Sequence, residues 1–175
     1  MATRRAELEA AGFVGFVRFI DLPASRVPPG PGVYVIVRDG LRAPEFRPTS
    51  PAGWFKDNDP TVPDANLQAA WVEDVEVVYV GKATGGRGGR RGLSKRLEEY
   101  RRHGAGEAIG HWGGRYIWQL ADSADLLVAW RETVEEDPGD VEAELIAAFR
   151  DRTGSLPFAN LNQGRRRRRR PPSEG

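Results

Sequence analysis

Two short apolar runs stand out in a chain whose hydrophobic and polar positions otherwise change every few residues. Residues 32–37 read Gly-Val-Tyr-Val-Ile-Val, and the run is apolar at successive rather than alternate positions. Such a run is typical of a central strand that is buried on both faces. Residues 77–80 read Val-Val-Tyr-Val and form a second run, which Gly81 ends. The pattern predicts two buried strands, and each of them carries one tyrosine, Tyr34 or Tyr79.

From Leu93 onward the apolar positions follow the period of a helix. At about 100° per residue, Leu93, Leu97 and Tyr100 lie on one arc, and Arg96 lies at its edge. A loop rich in glycine and arginine, which Lys82 opens, connects the second strand to this helix. The stretch therefore predicts a strand–loop–helix unit that brings tyrosine, lysine and arginine side chains together.

A further helix is predicted over residues 141–152, with Asp140 as its N-cap and Gly154 at its C-terminal end. Its apolar arc includes Glu142, whereas Glu144 lies on the polar edge. An ionised carboxylate directed toward a core is costly unless a cation or hydrogen bonds meet it. We therefore expect a metal ion or an arginine beside Glu142. A purely structural pair with an arginine, or a side chain that reaches solvent, is the alternative.

The remaining elements are shorter and less regular. Residues 103–114 are expected to form a glycine-rich loop, and residues 155–160 an extended segment. Residues 39–74 form a long, proline-containing connection of the kind that is usually functional or carries small elements of its own. Short helices are predicted over residues 3–11 and 64–71, an edge strand over residues 13–20, and two strands over residues 115–120 and 126–130.

The formal net charge of +1 conceals an uneven distribution. The segment from Lys82 to Arg102 carries a net charge of +6, whereas residues 1–164 as a whole carry −4. Charge concentrated in one loop–helix unit and one tail is typical of a site for a phosphate-bearing ligand; a solvated basic face and a solubilising tail are the alternatives. The candidate nucleic-acid contacts are Arg87, Arg90, Arg91, Lys95, Arg101, Arg102, Arg165, Arg166, Arg167, Arg168, Arg169 and Arg170.

Composition excludes several classes of protein. The chain has no cysteine, so disulfides, thiolate–metal sites and cysteine nucleophiles are excluded. No window approaches the ~18 consecutive apolar residues of a membrane span, and no membrane partner is expected. The first residues are charged where a signal peptide is apolar, so we expect a cytoplasmic protein. His103 and His111 are the only histidines, too few for a metal cluster, and are expected in loop or structural roles.

Five short motifs follow one another over roughly residues 31–162. They are Gly32-Val33-Tyr34, Tyr79-Val80-Gly81, Leu93-x-x-Arg96-Leu97-x-x-Tyr100, Glu142-x-x-Leu145-Ile146 and Pro157-x-x-Asn160. In their order and their predicted elements they resemble the motifs of the GIY-YIG nuclease family. Within this family the chain is similar to the N-terminal domain of the bacterial excision-repair incision nuclease, which shares the Tyr-Val-Gly-Lys-Ala run. It is also similar to restriction endonucleases, in which insertions such as residues 39–74 occur.

The resemblance implies an α/β (α+β) fold of the GIY-YIG type, with helices flanking a small mixed or antiparallel central sheet. It divides the chain into an N-terminal extension (residues 1–30), a nuclease domain (31–164) that contains the insertion 39–74, and a disordered, arginine-rich tail (165–175).

The resemblance also implies a metal-dependent endonuclease that hydrolyses phosphodiester bonds in DNA. Glu142 would hold one divalent ion, Mg²⁺ or Mn²⁺, next to the scissile phosphate. A free tyrosine is a poor base, but neighbouring cations favour its phenolate form. Tyr34 would therefore activate the attacking water, with Lys82 as a nearby cation and Tyr79 completing the hydrogen-bond network.

Three further residues receive roles from the resemblance. Arg96 would stabilise negative charge in the transition state, Tyr100 would be an additional proton-handling position, and Asn160 would orient a partner by hydrogen bonding. Two alternatives stay open: a noncatalytic nucleic-acid-binding module of the same fold, and a nuclease subunit that depends on a partner protein. In the second case the insertion 39–74 is the candidate docking surface. DNA is the expected substrate, RNA is left open, and the sequence does not indicate an oligomeric state.

Overall fold

Four strands form one antiparallel sheet at the centre of the molecule. In the computed structural model, which describes residues 5–86, 88 and 91–163, the strands are β1 (Val14–Arg18), β2 (Gly32–Val37), β3 (Val77–Ala83) and β4 (Leu127–Glu132). Their order in the sheet is β1–β4–β2–β3, and every neighbouring pair is antiparallel. The flanking helices are α1 (Arg5–Ala10), α2 (Asp64–Ala70), α3 (Leu93–Gly104) and α4 (Pro138–Thr153).

The strand β2 lies inside the sheet, and every one of its residues is buried. Tyr34 and Ile36 belong to the core beneath α3, whereas Val33, Val35 and Val37 belong to the core beneath α4. Successive side chains of a strand point to opposite faces, so a strand covered on both sides has to be apolar throughout. The coarse prediction of a mixed α/β protein with a buried central strand is therefore confirmed.

The N-terminal residues belong to the same body as the rest of the chain. The strand β1 pairs with β4 at one edge of the sheet, as the prediction of an edge strand requires. The 3₁₀ helix Phe19–Ala24 follows it, and the ring of Phe19 packs against Tyr100 and Trp118, with centroid distances of 5.2 and 4.7 Å. The extension therefore contributes both a strand and a core aromatic.

The insertion 39–74 is attached to the body by a buried amide. Gln119 is 1% exposed, and its Oε1 accepts a hydrogen bond of 2.6 Å from the backbone N–H of Val62. Its Nε2 donates to the carbonyls of Arg47 and Val62, each at 3.1 Å. At the beginning of the insertion, Arg38 forms a 2.8 Å ion pair with Asp122. The long connection is thus a packed layer that carries α2.

Two predictions about strands are wrong: the end of one strand and the existence of another. Gly81 does not end its strand, because β3 continues to Ala83 and Gly81 pairs with Tyr34. Residues 115–120 are not a strand: Arg115–Gln119 is a 3₁₀ helix, and Ile117, Trp118, Gln119 and Leu120 are all buried. A short apolar run that is buried at successive positions has no periodicity that separates a strand from a tight helix.

Three further boundaries differ from the prediction. The N-cap of α4 is Asp137 rather than Asp140, and its side chain accepts a 2.8 Å hydrogen bond from the N–H of Gly139. Pro138 occupies the first turn, where the missing N–H costs nothing. Helix α3 continues through His103 to Gly104, so His103 lies in a helix rather than in a loop. Residues 155–160 contain a turn instead of an extended segment. Gly154 ends α4 in a left-handed conformation, as predicted.

No helix in the described part of the chain has both the length and the apolar character needed to cross a membrane.

Candidate active site

A cleft of about 410 Å³ lies where β3, α3 and α4 meet. It collects side chains from four separate elements: Tyr34 from β2, Tyr79 and Lys82 from β3, Arg96 from α3 and Glu142 from α4. These five residues span more than half of the sequence, and they are five of the seven to which the resemblance gives a role in chemistry. The remaining lining residues are Ala83, Thr84 and Arg91.

Gly81 provides the space for the ring of Tyr34. The two residues are cross-strand partners, and a side-chain carbon added to Gly81 would lie 2.5 Å from Cζ of Tyr34 and 2.6 Å from its hydroxyl oxygen. Directly opposite side chains in a sheet point to the same face, so any larger residue at this position would push the tyrosine aside. The glycine is therefore needed for the position of the ring and not for a break in the strand.

The hydroxyl of Tyr34 is a buried polar group without a hydrogen-bond partner among the described residues. The residue is 0% exposed although it lines the cleft. Arg96 and Tyr79 lie close enough to affect its titration, but neither completes a hydrogen bond with it. A buried, unsatisfied hydroxyl costs about 1–3 kcal/mol. The arrangement is thus typical of an atom that binds a water molecule or a ligand.

The tyrosines of the site have different titration properties. Burial raises the pKa of Tyr34, and the positive charge of Arg96 together with the hydroxyl of Tyr79 opposes this effect. Burial raises the pKa of Tyr79 and of Tyr100 well above the ordinary value, and the neighbouring tyrosines reinforce the shift. Burial alone would lower the pKa of Arg96, but the phenolic oxygens of Tyr34 and Tyr79 outweigh it, and the pKa is raised. Of the three phenols, Tyr34 has the most favourable surroundings for losing a proton.

Glu142 is paired with a lysine. The residue is 9% exposed, and its Oε2 lies 2.8 Å from Nζ of Lys82. The prediction that Glu142 faces the interior and Glu144 faces solvent is confirmed, and the basic side chain beside Glu142 is Lys82 rather than an arginine. Helix α4 packs against β3, and the flexible stem of Lys82 spans the gap between them.

The ligands that the site offers a metal ion are few. Among the described residues, no group of three or more His, Cys, Asp or Glu side chains is close enough to hold one. Glu142 is a hard carboxylate ligand at a cleft wall, in a position that already attracts a cation. Mg²⁺ commonly takes one or two carboxylates and completes its shell with water and substrate phosphate. The residues therefore fit a single-carboxylate magnesium site and do not fit an all-protein cage.

Two arginines on the opposite wall share one carboxylate. Glu99 lies 3.2 Å from Arg91 and 3.7 Å from Arg96. The side chain of Arg96 is 28% exposed, and that of Arg91 is 63% exposed. This wall keeps an excess of positive charge, which an anionic ligand can neutralise.

The structure places Tyr100 and Asn160 outside the cleft. The hydroxyl of Tyr100 donates a 2.7 Å hydrogen bond to the carbonyl of Gly114 and is fully buried. Asn160 holds the backbone of Val80, because its Oδ1 accepts from the N–H at 2.9 Å and its Nδ2 donates to the carbonyl at 2.8 Å. Both residues support the strand that carries Tyr79 and Lys82, and neither lines the cleft.

The predicted nucleic-acid contacts fall into three groups. Arg91 lines the cleft, and Lys95 is exposed on α3. Arg101 and Arg102 are already engaged in ion pairs, with Glu98 at 2.7 Å and with Glu107 at 2.5 Å respectively. The others lie outside the described residues: Arg87, Arg90, Arg165, Arg166, Arg167, Arg168, Arg169 and Arg170.

Sequence reasoning missed the role of residues 111–116. His111 is 0% exposed and stacks on Tyr100, with a centroid distance of 3.8 Å and an interplanar angle of 8°. Burial, together with the charge of Arg96 and the proximity of His103, holds the pKa of His111 well below the ordinary value, so the ring is neutral. Trp112 follows His111, and the guanidinium of Arg115 packs on the ring of Trp112. The sequence signal that could have indicated a role is the run of aromatic residues and glycines at 111–116, which belongs to none of the five motifs.

Comparison of the chain with protein-family models, with curated proteins and with solved structures gave no match, so any assignment of function depends on the residues and their geometry.

Proposed function

We propose that this protein is an endonuclease of the GIY-YIG type that hydrolyses phosphodiester bonds in DNA with one divalent metal ion. The observation that carries the proposal is the convergence of Tyr34, Tyr79, Lys82, Arg96 and Glu142 on one cleft. A proton acceptor, a carboxylate and guanidinium groups are the chemical parts that hydrolysis of a phosphodiester needs.

Glu142 would hold the ion, Mg²⁺ or Mn²⁺. A bound ion of this kind supplies Lewis-acid polarisation of the phosphate and neutralises charge that develops on it. Glu142 already has the ammonium of Lys82 at 2.8 Å, so a cation can reach this carboxylate at the wall of the cleft.

Tyr34 has the geometry of the group that accepts the proton of the attacking water. Its hydroxyl has no internal partner among the described residues, so binding a water there breaks no hydrogen bond. Arg96 lies close enough to favour the phenolate and therefore lowers the barrier to proton transfer. Tyr79 is the neighbouring phenol, and its ring centroid lies 6.0 Å from that of Tyr34. Its ring limits the space around the hydroxyl of Tyr34.

Arg96 is the group that stabilises the developing charge on the phosphate. Its side chain remains 28% exposed in the cleft, and Glu99 holds it only at 3.7 Å. A loosely held guanidinium can exchange its carboxylate partner for two phosphate oxygens, which its planar fork matches. Asn160 acts through β3, because it fixes the backbone of Val80 between Tyr79 and Lys82.

The proposal is tested by incubating the protein with supercoiled plasmid, branched DNA and structured RNA, in chelator, in Mg²⁺ and in Mn²⁺. We expect nicked or linear DNA only with a metal ion, and no product from a Glu142→Ala variant. Glu144→Ala on the same helix is the matched control, because Glu144 is exposed. Binding of DNA without cleavage under all conditions would favour the noncatalytic module. Cleavage that requires an added cell extract would favour the partner-dependent subunit.

A further inference from the structure

In the segment from Trp112 to Tyr116, an arginine contacts two aromatic rings. Cζ of Arg115 lies 4.4 Å from the ring centroid of Trp112 and 5.3 Å from that of Tyr116. Cation–π contacts of this kind fix the plane of the guanidinium. Nε is buried and Nη1 donates to the carbonyl of Trp112, so Nη2 is the nitrogen left to bind a ligand.

Arg115 has no carboxylate partner among the described residues. Its Nε is fully buried and lacks an acceptor, and its one hydrogen bond, from Nη1 to the carbonyl of Trp112, is long at 3.4 Å. Burial lowers the pKa of Arg115, which reflects the cost of a charge that is partly removed from water. Arg101 and Arg102 differ in this respect, because each has a glutamate. Arg115 is therefore a held, partly desolvated cation that lacks an anion.

The same segment borders the proposed active site. Gly113 is exposed, and a side-chain carbon added there would lie 3.6 Å from the hydroxyl of Tyr79, which lines the cleft. Gly114 is packed still more closely, since an added carbon would lie 2.9 Å from the ring of Tyr79. Arg115 follows directly. The chain thus leads from the wall of the cleft to this cation within two residues.

We propose that Arg115 binds a backbone phosphate of the DNA strand next to the scissile one, and that Trp112 and Tyr116 hold its guanidinium in the orientation for this contact. The inference rests on the proposed function, because it places the second phosphate on the strand that enters the cleft. An arginine N–H and a phosphate oxygen form a charge-assisted hydrogen bond, and Nη2 is the nitrogen of Arg115 left to donate it. The site reads the backbone and not the base, so it adds affinity and register without sequence preference.

The test measures affinity for fluorescent duplex DNA over a series of salt concentrations in Ca²⁺, with cleavage of the same DNA measured in Mg²⁺. Arg115→Gln should reduce the slope of log affinity against log salt by about 0.9, the value for one lost phosphate contact on duplex DNA. Arg115→Lys keeps the charge but not the fork, so the slope should stay near that of the wild type while affinity falls several-fold. Arg18→Gln is the matched control and should leave the slope unchanged, because Arg18 lies on β1, at the opposite edge of the sheet from β3, and is paired with Asp21.

The outcomes separate this inference from the proposed function. A reduced slope in Arg115→Gln, in a protein that cleaves nothing, would support the phosphate site and overturn the nuclease proposal. Unchanged slopes in both Arg115 variants, in a protein that cleaves DNA, would overturn the phosphate site alone. Lower melting temperatures with unchanged slopes would assign Arg115 a purely structural role and overturn it as well. No DNA binding by the wild type would overturn both.

Discussion

Replacing Lys82 with methionine should make the protein less stable without metal and more responsive to metal. The ammonium of Lys82 lies 2.8 Å from Glu142 and occupies the side of the carboxylate that a divalent ion needs. Lys82→Met keeps most of the side-chain volume and removes the charge. Glu142, whose side chain is 12% exposed, is then left partly buried without a counter-ion. A divalent ion no longer has to displace the lysine.

The size of the effect follows from the burial of the two partners. Removal of one partner from a fully buried ion pair costs about 3–5 kcal/mol. The side chain of Lys82 is 31% exposed, so solvent screens part of this interaction, and we expect about 1–3 kcal/mol. In a domain of this size about 1 kcal/mol corresponds to roughly 2–4 °C in melting temperature. Metal at a hundred times its dissociation constant stabilises the folded state by about 2.7 kcal/mol. It should therefore offset most or all of the stability that the substitution removes.

The assay is thermal unfolding followed by circular dichroism, in chelator and in millimolar Mg²⁺ or Mn²⁺. Lys82→Met should melt lower than the wild type in chelator and gain more from the metal ion. Titration calorimetry with Mn²⁺ should give a tighter dissociation constant for this variant. Glu142→Gln should lose the metal response, whereas Glu144→Gln, an exposed residue of the same helix, should behave as the wild type. If metal raises the melting temperature of Lys82→Met and of the wild type by the same amount, the divalent ion and Lys82 do not compete for Glu142. A metal response that persists in Glu142→Gln would place the ion elsewhere.

Four further predictions concern catalysis and the support of the site. Glu142→Ala should abolish metal-dependent cleavage and Glu144→Ala should leave it intact, as measured in a plasmid nicking assay; an essential Glu144 would contradict the orientation of α4. Tyr34→Phe should keep DNA affinity in Ca²⁺ and slow single-turnover cleavage by about 10²–10⁴-fold. Because burial raises the pKa of Tyr34, the rate in the wild type should rise with pH up to that pKa, and a Tyr34→Phe variant with the same pH profile would exclude this base. Arg96→Ala should weaken both binding and turnover, and Arg96→Lys should restore binding better than rate; a full rescue by lysine would argue for simple charge. Gly81→Ala should reduce cleavage and lower the melting temperature, since its new carbon would meet the ring of Tyr34 at 2.5 Å; wild-type behaviour would show that the ring can move at no cost.

Local patterns were sufficient to predict the elements that carry the cleft. The central strand could be recognised because it is apolar at every position, and both of its faces are in fact covered. The orientation of Glu142 followed from the helical period, since 3.6 residues per turn determine which side chains face the core. The N-cap of α4 was misplaced because both Asp137 and Asp140 suit a helix start, and only the position of Pro138 in the first turn separates them.

Contacts between distant segments had no local signal. Lys82 and Glu142 are 60 positions apart in sequence, and neither period nor composition indicates that they pair. The same holds for Gln119, whose amide fastens the insertion through Val62. The ion pairs of Arg101 and Arg102 are a different case, because their glutamates, Glu98 and Glu107, lie only three and five positions away and the charge count overlooked them. Arg115 was passed over for the opposite reason, because its lack of a partner becomes visible only in three dimensions.

Under the proposed function, the charges of the cleft would make metal and phosphate bind as a coupled pair. Without either of them, Lys82 neutralises Glu142, and Glu99 partly neutralises Arg96. A phosphate that enters alone would attract Lys82 and Arg96 and would leave Glu142 uncompensated beside an anion. A metal ion that enters alone would have to displace Lys82 and would leave its ammonium unpaired. With both bound, the metal would take the place of Lys82 at Glu142, and the phosphate would accept hydrogen bonds from the released lysine and from Arg96. Each ligand thus removes the cost that the other imposes, and by linkage each should raise the affinity of the other by the same factor.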